Sequence, residues 1–201
     1  MKAVLLSVRP AYCEKIASCE KTIEVCKTKP KLETPFKCYI NETKGKQVEK
    51  ITGCDITYYG RGKVIGEFVC DKIDNYECEL WNNEAYELIR QFDYDEYGEI
   101  EYEHGAENNE NCEMLNKACL SWQDIRKYLG QGINTCYAWH ISELKIYDKP
   151  KRLSEFYSKC NIPESKCKLC DNCYDRADYY GRHYAVKKLE RPPQSWCYVE
   201  G

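Results

Sequence analysis

Hydrophobic and polar positions follow three different patterns in the N-terminal part of the chain. KAVLLSV (2–8) is a continuous apolar run, which is typical of a buried strand. RPAYCEKIASCE follows, with Pro10 suited to a first helical turn and its apolar residues on one face, so it predicts a helix. KTIEVCK then alternates strictly, which predicts a half-buried strand. The alternation places Ile23 and Val25 on one side and Thr22, Glu24 and Cys26 on the other.

Further elements follow along the chain. Strands are predicted at 36–43, 62–73, 136–147 and 194–199, and an amphipathic helix at 81–90. A second helix is predicted at 121–132, with Ser121 as N-cap, Asp124 in the first turn and Gly130 at the end. The acidic stretch at 91–118 is predicted to be an exposed loop or hairpin inserted into one domain that spans 1–201. This mixture predicts an α+β fold, a small closed or partly closed β-barrel with flanking helices.

The composition limits where the protein works. No run of about 18 apolar residues is present, so a membrane span is not expected, and the N-terminal apolar stretch is too short for a secretory signal. The 15 cysteines are therefore expected to be reduced thiols in the cytoplasm. Cys38, Cys70, Cys136 and Cys197 lie singly in apolar stretches and are interpreted as small buried hydrophobes.

The net charge of −3 hides two basic segments on either side of an acidic one. Residues 21–63 contain 10 basic and 5 acidic side chains, and residues 145–191 contain 12 and 7. Residues 91–113 contain 9 acidic side chains and no Lys or Arg. A basic surface attracts phosphates, although ordinary solvated charge explains either segment taken alone. Tyrosines beside basic residues, such as Tyr58 and Tyr59 with Arg61, are able to stack on unpaired bases.

Four cysteines are grouped differently from the rest. Cys160, Cys167, Cys170 and Cys173 have the spacing C-x6-C-x2-C-x2-C, which is typical of tetrahedral zinc ligands. Their segment, 160–184, is polar and poor in aliphatic residues, so a metal ion would help to order it. Four thiolates leave no open coordination position, which predicts a structural zinc ion in a small insertion. An iron–sulfur cluster and free thiols remain alternatives.

Lys21 and Glu24 are the candidate chemical groups of the N-terminal segment. Lys21 stands where the chain enters the predicted strand, so both side chains are expected to line one cleft. A partly desolvated lysine loses its proton more easily and acts as a base or nucleophile, with the glutamate as its proton partner. A structural ion pair is the alternative interpretation.

SVRPAYCEKIASCEKTIEVCK resembles the signature of the ASCH family of PUA-like barrels, which is an Arg-Pro helix start followed by G-x-K-x-x-E-x-R. Lys21 and Glu24 match the Lys and Glu of that pattern, whereas Cys19 stands at its Gly and Cys26 at its Arg. GKVIGEFVCDKI, YAWHISELKIYDKP and RPPQSWCYVE resemble later strands, the last of them in larger members from bacteria and their phages. The resemblance covers about residues 1–75 and 120–200.

The resemblance implies a PUA-like barrel that binds RNA or a nucleotide in a cleft beside the first helix and second strand. The residues expected to hold this ligand are Arg9, Thr22, Lys27, Lys29 and Arg61, with Lys21 and Glu24. Some small ASCH members resemble amidohydrolases that act on a modified cytidine, so a nucleoside or RNA hydrolase using Lys21 and Glu24 is the alternative. A zinc-bearing protein-interaction module is a third possibility.

The two departures from the family pattern have physical consequences. Glycine at a helix end commonly adopts a positive φ, which costs other residues about 1 kcal/mol, so Cys19 must carry that strain or change the turn. Cys26 lacks the planar charged fork of arginine. The hypotheses are therefore a weakened or altered family site, a redox pair formed by the two thiols, or a reactive thiolate at either position.

Overall fold

The structure is a computed structural model that describes residues 2–51, 53–81, 85–94, 100–104, 113–159, 173–177 and 183–200. Side chains are described for 2–50, 53–77, 113–159 and 186–200. The helices in these ranges are α1 (Pro10–Ala17), α2 (Glu113–Ala118) and α3 (Trp122–Leu129), with a 3₁₀ turn at Leu153–Glu155. The strands are β1 (Lys2–Val8), β2 (Ile23–Cys26), β3 (Phe36–Glu42), β4 (Gly45–Ile51), β5 (Cys54–Gly60), β6 (Val64–Trp81), β7 (Ala85–Tyr94), β8 (Ile100–His104), β9 (Thr135–Lys151), β10 (Tyr157–Lys159), β11 (Cys173–Ala177), β12 (His183–Lys188) and β13 (Trp196–Glu200).

This mostly β architecture with a few helices agrees with the predicted α+β class. The helices at α1 and α3 and the strands at β1, β2, β3, β6, β9 and β13 were all predicted, although β6 and β9 extend further than the pattern indicated. None of the helices in the described part of the chain is long and apolar enough to span a membrane.

The chain divides into two compact units. The first contains Met1–Cys13, Lys37–Phe68 and Leu144–Gly201, and the second contains Glu14–Phe36 and Val69–Glu143. The predicted extent of the domain, 1–201 with insertions at 91–118 and 160–184, stays a prediction.

In the first unit, β1 pairs in parallel with β3 and antiparallel with β13. A hairpin joins β4 to β5, and β12 pairs with both β10 and β11. A hydrophobic cluster of this unit contains Ala3 and Leu5 from β1, Tyr39 from β3 and Val199 from β13, together with Val64, Phe156 and Leu189.

In the second unit, the short strand β2 pairs antiparallel with β9, so that Glu24 stands opposite Trp139 and Cys26 opposite Tyr137. The helices α2 and α3 pack on one face of this pair. Their shared core is formed by Ile23, Val25, Met114, Leu115, Ala118, Trp122, Ile125, Leu129, Cys136 and Ala138. The core therefore fixes β2, which carries the candidate residues.

The helix predicted at 81–90 is wrong. Residues 85–94 form β7, which pairs antiparallel with the end of β6, and β7 pairs in turn with β8. Tyr86, Leu88, Phe92 and Tyr94 recur at every second or fourth residue, a spacing that suits a strand as well as a helix, and aromatic residues favour strands. Within the acidic stretch at 91–118, the structure describes the end of β7, β8 and α2.

Of the predicted closed or partly closed barrel, full closure is not found among the strands that the structure describes, and partial closure stays a prediction. Closing a barrel requires its edge strands to pair with each other, but β13 pairs with β1 alone and β8 with β7 alone within the described ranges. Of the four singly placed cysteines, Cys38, Cys70 and Cys136 are buried as predicted, whereas Cys197 is partly exposed.

Candidate functional site

The turn between α1 and β2 places Lys21 at the start of the strand. The backbone amides of Ser18 and Cys19 close the helix on Glu14 and Ile16, and the amide of Lys21 reaches back to Lys15. Cys19 has a φ of 62°, so it occupies the left-handed conformation that glycine favours at a helix end. Of the two predicted outcomes, strain at Cys19 or a changed turn, the structure has the first, and Cys19 is exposed.

Lys21 is a buried ammonium whose partners include a helix carbonyl and a carboxylate. Only 2% of the residue is exposed, and its Nζ donates a hydrogen bond of 2.6 Å to the carbonyl of Ala118 at the end of α2. The same Nζ lies 3.4 Å from Oε2 of Glu24. A positive charge is favourable beside the unpaired carbonyls of a helix C-terminus. Lys21 therefore joins α2 to β2, and the amide of Thr22 adds a hydrogen bond to the Lys117 carbonyl.

Glu24 is less buried than its partner, with 17% of its side chain exposed. Its Oε2 accepts no hydrogen bond from the described residues, because the Lys21 ammonium attracts it at 3.4 Å without hydrogen-bond geometry. A buried carboxylate oxygen is costly to leave without a donor. The exposed 17% of the Glu24 side chain is therefore the part that a ligand N–H or O–H group can contact, while Oε2 lies beneath the surface.

Cys26 departs from the predicted alternation, because it is as buried as Ile23 and Val25 on the opposite face. Both faces of β2 are covered. On the Cys26 face the neighbouring Trp139 is fully buried, and its ring meets Phe36 edge-on at 5.6 Å. The position therefore suits a small apolar side chain.

The basic residues predicted to hold phosphates belong to both units. Arg9 and Arg61 lie in the first unit, where the Arg61 amide donates to Glu42, and Thr22, Lys27 and Lys29 lie in the second. Lys27 Nζ donates to the carbonyl of Leu129 at 3.1 Å. The lysines at 27 and 29 stand over tyrosine rings, at 5.0 Å from the centroid of Tyr128 and 5.6 Å from that of Tyr137.

Sequence reasoning missed a charged cluster in the second unit. Asp74 is buried; its Oδ2 lies 2.7 Å from Nε2 of His140, and its Oδ1 lies 3.0 Å from Nζ of Lys72. On β9 the neighbouring Trp139 is fully buried, whereas His140 is partly exposed. The partner of His140 lies 66 residues earlier, so no local pattern indicated it.

The predicted zinc ligands lie largely outside the described residues. This is true of Cys160, Cys167 and Cys170, and Cys173 begins β11 without a described side chain. Among the side chains that are described, no group of three or more metal-ligating residues is present. The structural zinc ion stays a prediction.

Comparisons with known proteins give limited matches. No family model matches the chain, and no curated protein matches it. A crystal structure of ASCH from Zymomonas mobilis aligns with a TM-score of 0.43 and 18% sequence identity, covering 75% of this chain and 73% of that one. A tyrosine-to-phenylalanine mutant of the same Zymomonas mobilis protein aligns with a TM-score of 0.43 and 19% identity, covering 76% of this chain and 77% of that one.

Proposed function

We propose that this protein binds RNA or a nucleotide beside Lys21 and Glu24, with Lys27 and Lys29 holding phosphates. The observation that carries the proposal is a partly exposed carboxylate that is followed, on one short stretch of chain, by two lysines without a described ion pair. The side chain of Glu24 is 17% exposed, and Lys27 and Lys29 form no ion pair with the described residues. A nucleotide suits both features, because its base and sugar donate hydrogen bonds and its phosphates are anionic.

Other parts of the proposal rest on the resemblance to ASCH proteins. Arg9 and Arg61 are proposed as further phosphate ligands, and Thr22 as a neighbour of the bound nucleotide. The chain is proposed to be a cytoplasmic protein of the larger type found in bacteria and their phages. Its zinc ion, held by the cysteines of the 160–184 insertion, would be structural.

Lys21 is proposed to hold Glu24 and α2 in place. The hydrolase alternative requires its ammonium to lose a proton and reach a substrate. With 2% of the residue exposed and a hydrogen bond to a backbone carbonyl, Nζ is better placed for support than for attack. Binding is therefore the function that this geometry favours.

The test is the affinity for a labelled RNA of about ten nucleotides, measured by fluorescence anisotropy between about 50 and 200 mM NaCl. We expect binding that weakens with salt and that weakens about 3- to 10-fold in Glu24→Gln, because a charged acceptor is lost. Removal of an uninvolved negative charge would instead strengthen RNA binding or leave it unchanged. Glu113→Gln is the matched control, since Glu113 is exposed and pairs with Lys117. Absence of binding at the lowest salt would refute the proposal, as would an affinity indifferent to salt and to Glu24→Gln.

A further inference from the structure

Two lysine–tyrosine pairs lie where β2 ends. Tyr137 pairs with Cys26, the last residue of β2, and the chain continues through Lys27 to Lys29, whose ammonium stands over the Tyr137 ring at 5.6 Å. Lys27 stands over the Tyr128 ring at 5.0 Å. Each pair presents an aromatic ring together with a cation.

Similar pairs in the first unit differ in one respect. There Lys37 stands over Tyr39 and Lys151 over Tyr147, and the carboxylate of Glu67 serves both pairs. Glu67 lies 3.3 Å from the Lys37 ammonium and accepts a 2.5 Å hydrogen bond from the Tyr147 hydroxyl, which lowers the pKa of Glu67. Lys27 and Lys29 have no such carboxylate within the described ranges. Their positive charge is therefore uncompensated beside aromatic rings.

Further charged residues lie nearby along the chain. Lys127 is exposed in the last turn of α3, and Lys31 and Glu33 are exposed on the segment after β2. The nearest acidic residue of α3, Asp124, is engaged with Ser121 in the capping box. A basic surface with half-buried tyrosines fits a polyanion that carries flat, unpaired bases.

Tyr137 is the better placed of the two rings to receive a base. Tyr128 packs against the core of the second unit, and the lysine over it is held by the Leu129 carbonyl. Tyr137 is positioned by the β2–β9 pairing, but the lysine over it is exposed and is described with no other partner. A base can displace the Lys29 stem from the ring while the ammonium moves to the adjoining phosphate.

We propose that Tyr137 stacks on an unpaired base of a single-stranded polynucleotide and that Lys29 and Lys27 bind the flanking phosphates. This inference rests on the proposed function for its ligand class and adds the single-stranded form and the stacking residue. Stacking requires that the base be exposed, so a duplex of the same sequence would lack this interaction. RNA and DNA share the chemistry of base and phosphate and are separated by the test.

The experiment measures anisotropy of the full chain with three labelled probes of about ten residues: oligouridylate, oligothymidylate and an abasic phosphate strand. Tyr137→Leu keeps an apolar side chain but removes the ring, and we expect oligouridylate binding to fall about tenfold. Tyr137→Phe should bind within about twofold of the parent, because stacking does not need the hydroxyl. On the abasic strand the parent and Tyr137→Leu should bind equally, since no base is present to stack.

Lys29→Glu is the second variant, and it changes an exposed side chain that the fold does not need. It should weaken binding of all three probes. The slope of log K against log salt concentration should become less negative by about 0.7 for each phosphate that is no longer neutralised. Lys117→Glu is its matched control, as an exposed lysine on α2, and should have little effect. If the parent binds oligothymidylate as tightly as oligouridylate, the surface recognises single-stranded DNA and RNA alike.

The outcomes separate this inference from the function on which it rests. Salt-sensitive binding that is unaffected by Tyr137→Leu overturns the stacking and leaves the proposed function intact. If Tyr59→Ala weakens binding and Tyr137→Leu does not, the stacking residue is the exposed Tyr59 of the first unit, and the proposal for Tyr137 is refuted. If Tyr137→Leu weakens probe binding and Glu24→Gln does not, the stacking by Tyr137 is supported and the proposed site beside Glu24 is refuted. If the parent binds no probe, both are refuted.

Discussion

Replacing Lys21 by methionine tests whether this buried ammonium supports the fold. Methionine keeps an unbranched stem but removes the charge, so the Ala118 carbonyl loses its 2.6 Å hydrogen bond and Glu24 loses its ion pair. A hydrogen bond to a charged group contributes about 1.5–3 kcal/mol, and removing one partner of a buried pair costs about 3–5 kcal/mol. Because 17% of the Glu24 side chain is exposed and water can rehydrate it, we expect a loss of about 2–4 kcal/mol in the free energy of unfolding.

The assay is urea unfolding followed by far-UV circular dichroism, with the free energy of unfolding obtained by linear extrapolation. Lys72→Met is the matched control. Lys72 also pairs with a carboxylate, Asp74, but 53% of its side chain is exposed, so its loss should cost less than about 1 kcal/mol. Glu24→Gln in the Lys21→Met background should restore part of the loss, because the uncompensated carboxylate is then removed. The double-mutant cycle measures that coupling directly.

Equal stability of Lys21→Met and the parent, within about 0.5 kcal/mol, would show that the ammonium is not the support described above. If Lys21→Met loses much of its free energy of unfolding and Glu24→Gln restores none of it, the stabilisation comes from the hydrogen bond to Ala118 alone. If Lys21→Met still binds RNA once folded, its role is structural and the hydrolase alternative loses its proposed nucleophile.

Three further predictions follow from single groups. Cys19→Gly should stabilise the protein by about 0.5–1 kcal/mol, since relief of a left-handed penalty of about 1–2 kcal/mol outweighs the entropy that glycine adds to the unfolded chain. In the same urea assay, Cys19→Ala should not gain stability, because alanine keeps the Cβ. Equal gains in stability for the two variants would contradict backbone strain at Cys19 as the explanation. The hydrogen bond from the Tyr147 hydroxyl holds the pKa of Glu67 below its usual value. Its stabilisation is therefore present above the unfolded pKa of about 4.3 and is lost as pH falls through the lower folded value. The stability difference between the parent and Glu67→Gln should shrink on acidification below about pH 4, and a constant difference would refute the assignment. Metal analysis of reduced protein should find about one zinc per chain, lost in Cys170→Ser, and metal in neither protein would remove the proposed zinc site.

Signals within a few residues of each other predicted the elements that short-range interactions stabilise. Ser121 and Asp124 form the capping box that the sequence indicated, and Gly130 ends α3 with a φ of 78°. The alternation that predicted β2 holds for Ile23 and Val25. At Cys26 it fails, because a pattern of polar and apolar residues does not reveal that a second layer covers the other face.

Interactions between distant parts of the chain account for the rest. The strand at 85–94 is stabilised by pairing with β6, which sets Cys78 opposite Leu88 and Leu80 opposite Tyr86. A short window with mixed periodicity does not contain that information. The same applies to the site, where the residue motif indicated that Lys21 and Glu24 belong together. The Ala118 carbonyl lies 97 residues away, and its hydrogen bond from Lys21 is the observation behind the supporting role that we propose for this residue.

The two cysteines at the Gly and Arg positions of the ASCH-like pattern have different physical explanations. Cys19 is exposed and strained, whereas Cys26 is 2% exposed in a covered strand, so their environments argue against a redox pair. An arginine at 26 would need room for a guanidinium where cysteine is only 2% exposed, so packed neighbours such as Trp139 would have to move. In this chain the positive charge stands one and three residues later, on Lys27 and Lys29, where the strand has ended and the ammonium groups lie over tyrosine rings. If a phosphate binds at this end of β2, it is these lysines and not position 26 that neutralise it, and Cys26→Arg should destabilise the fold without tightening RNA binding.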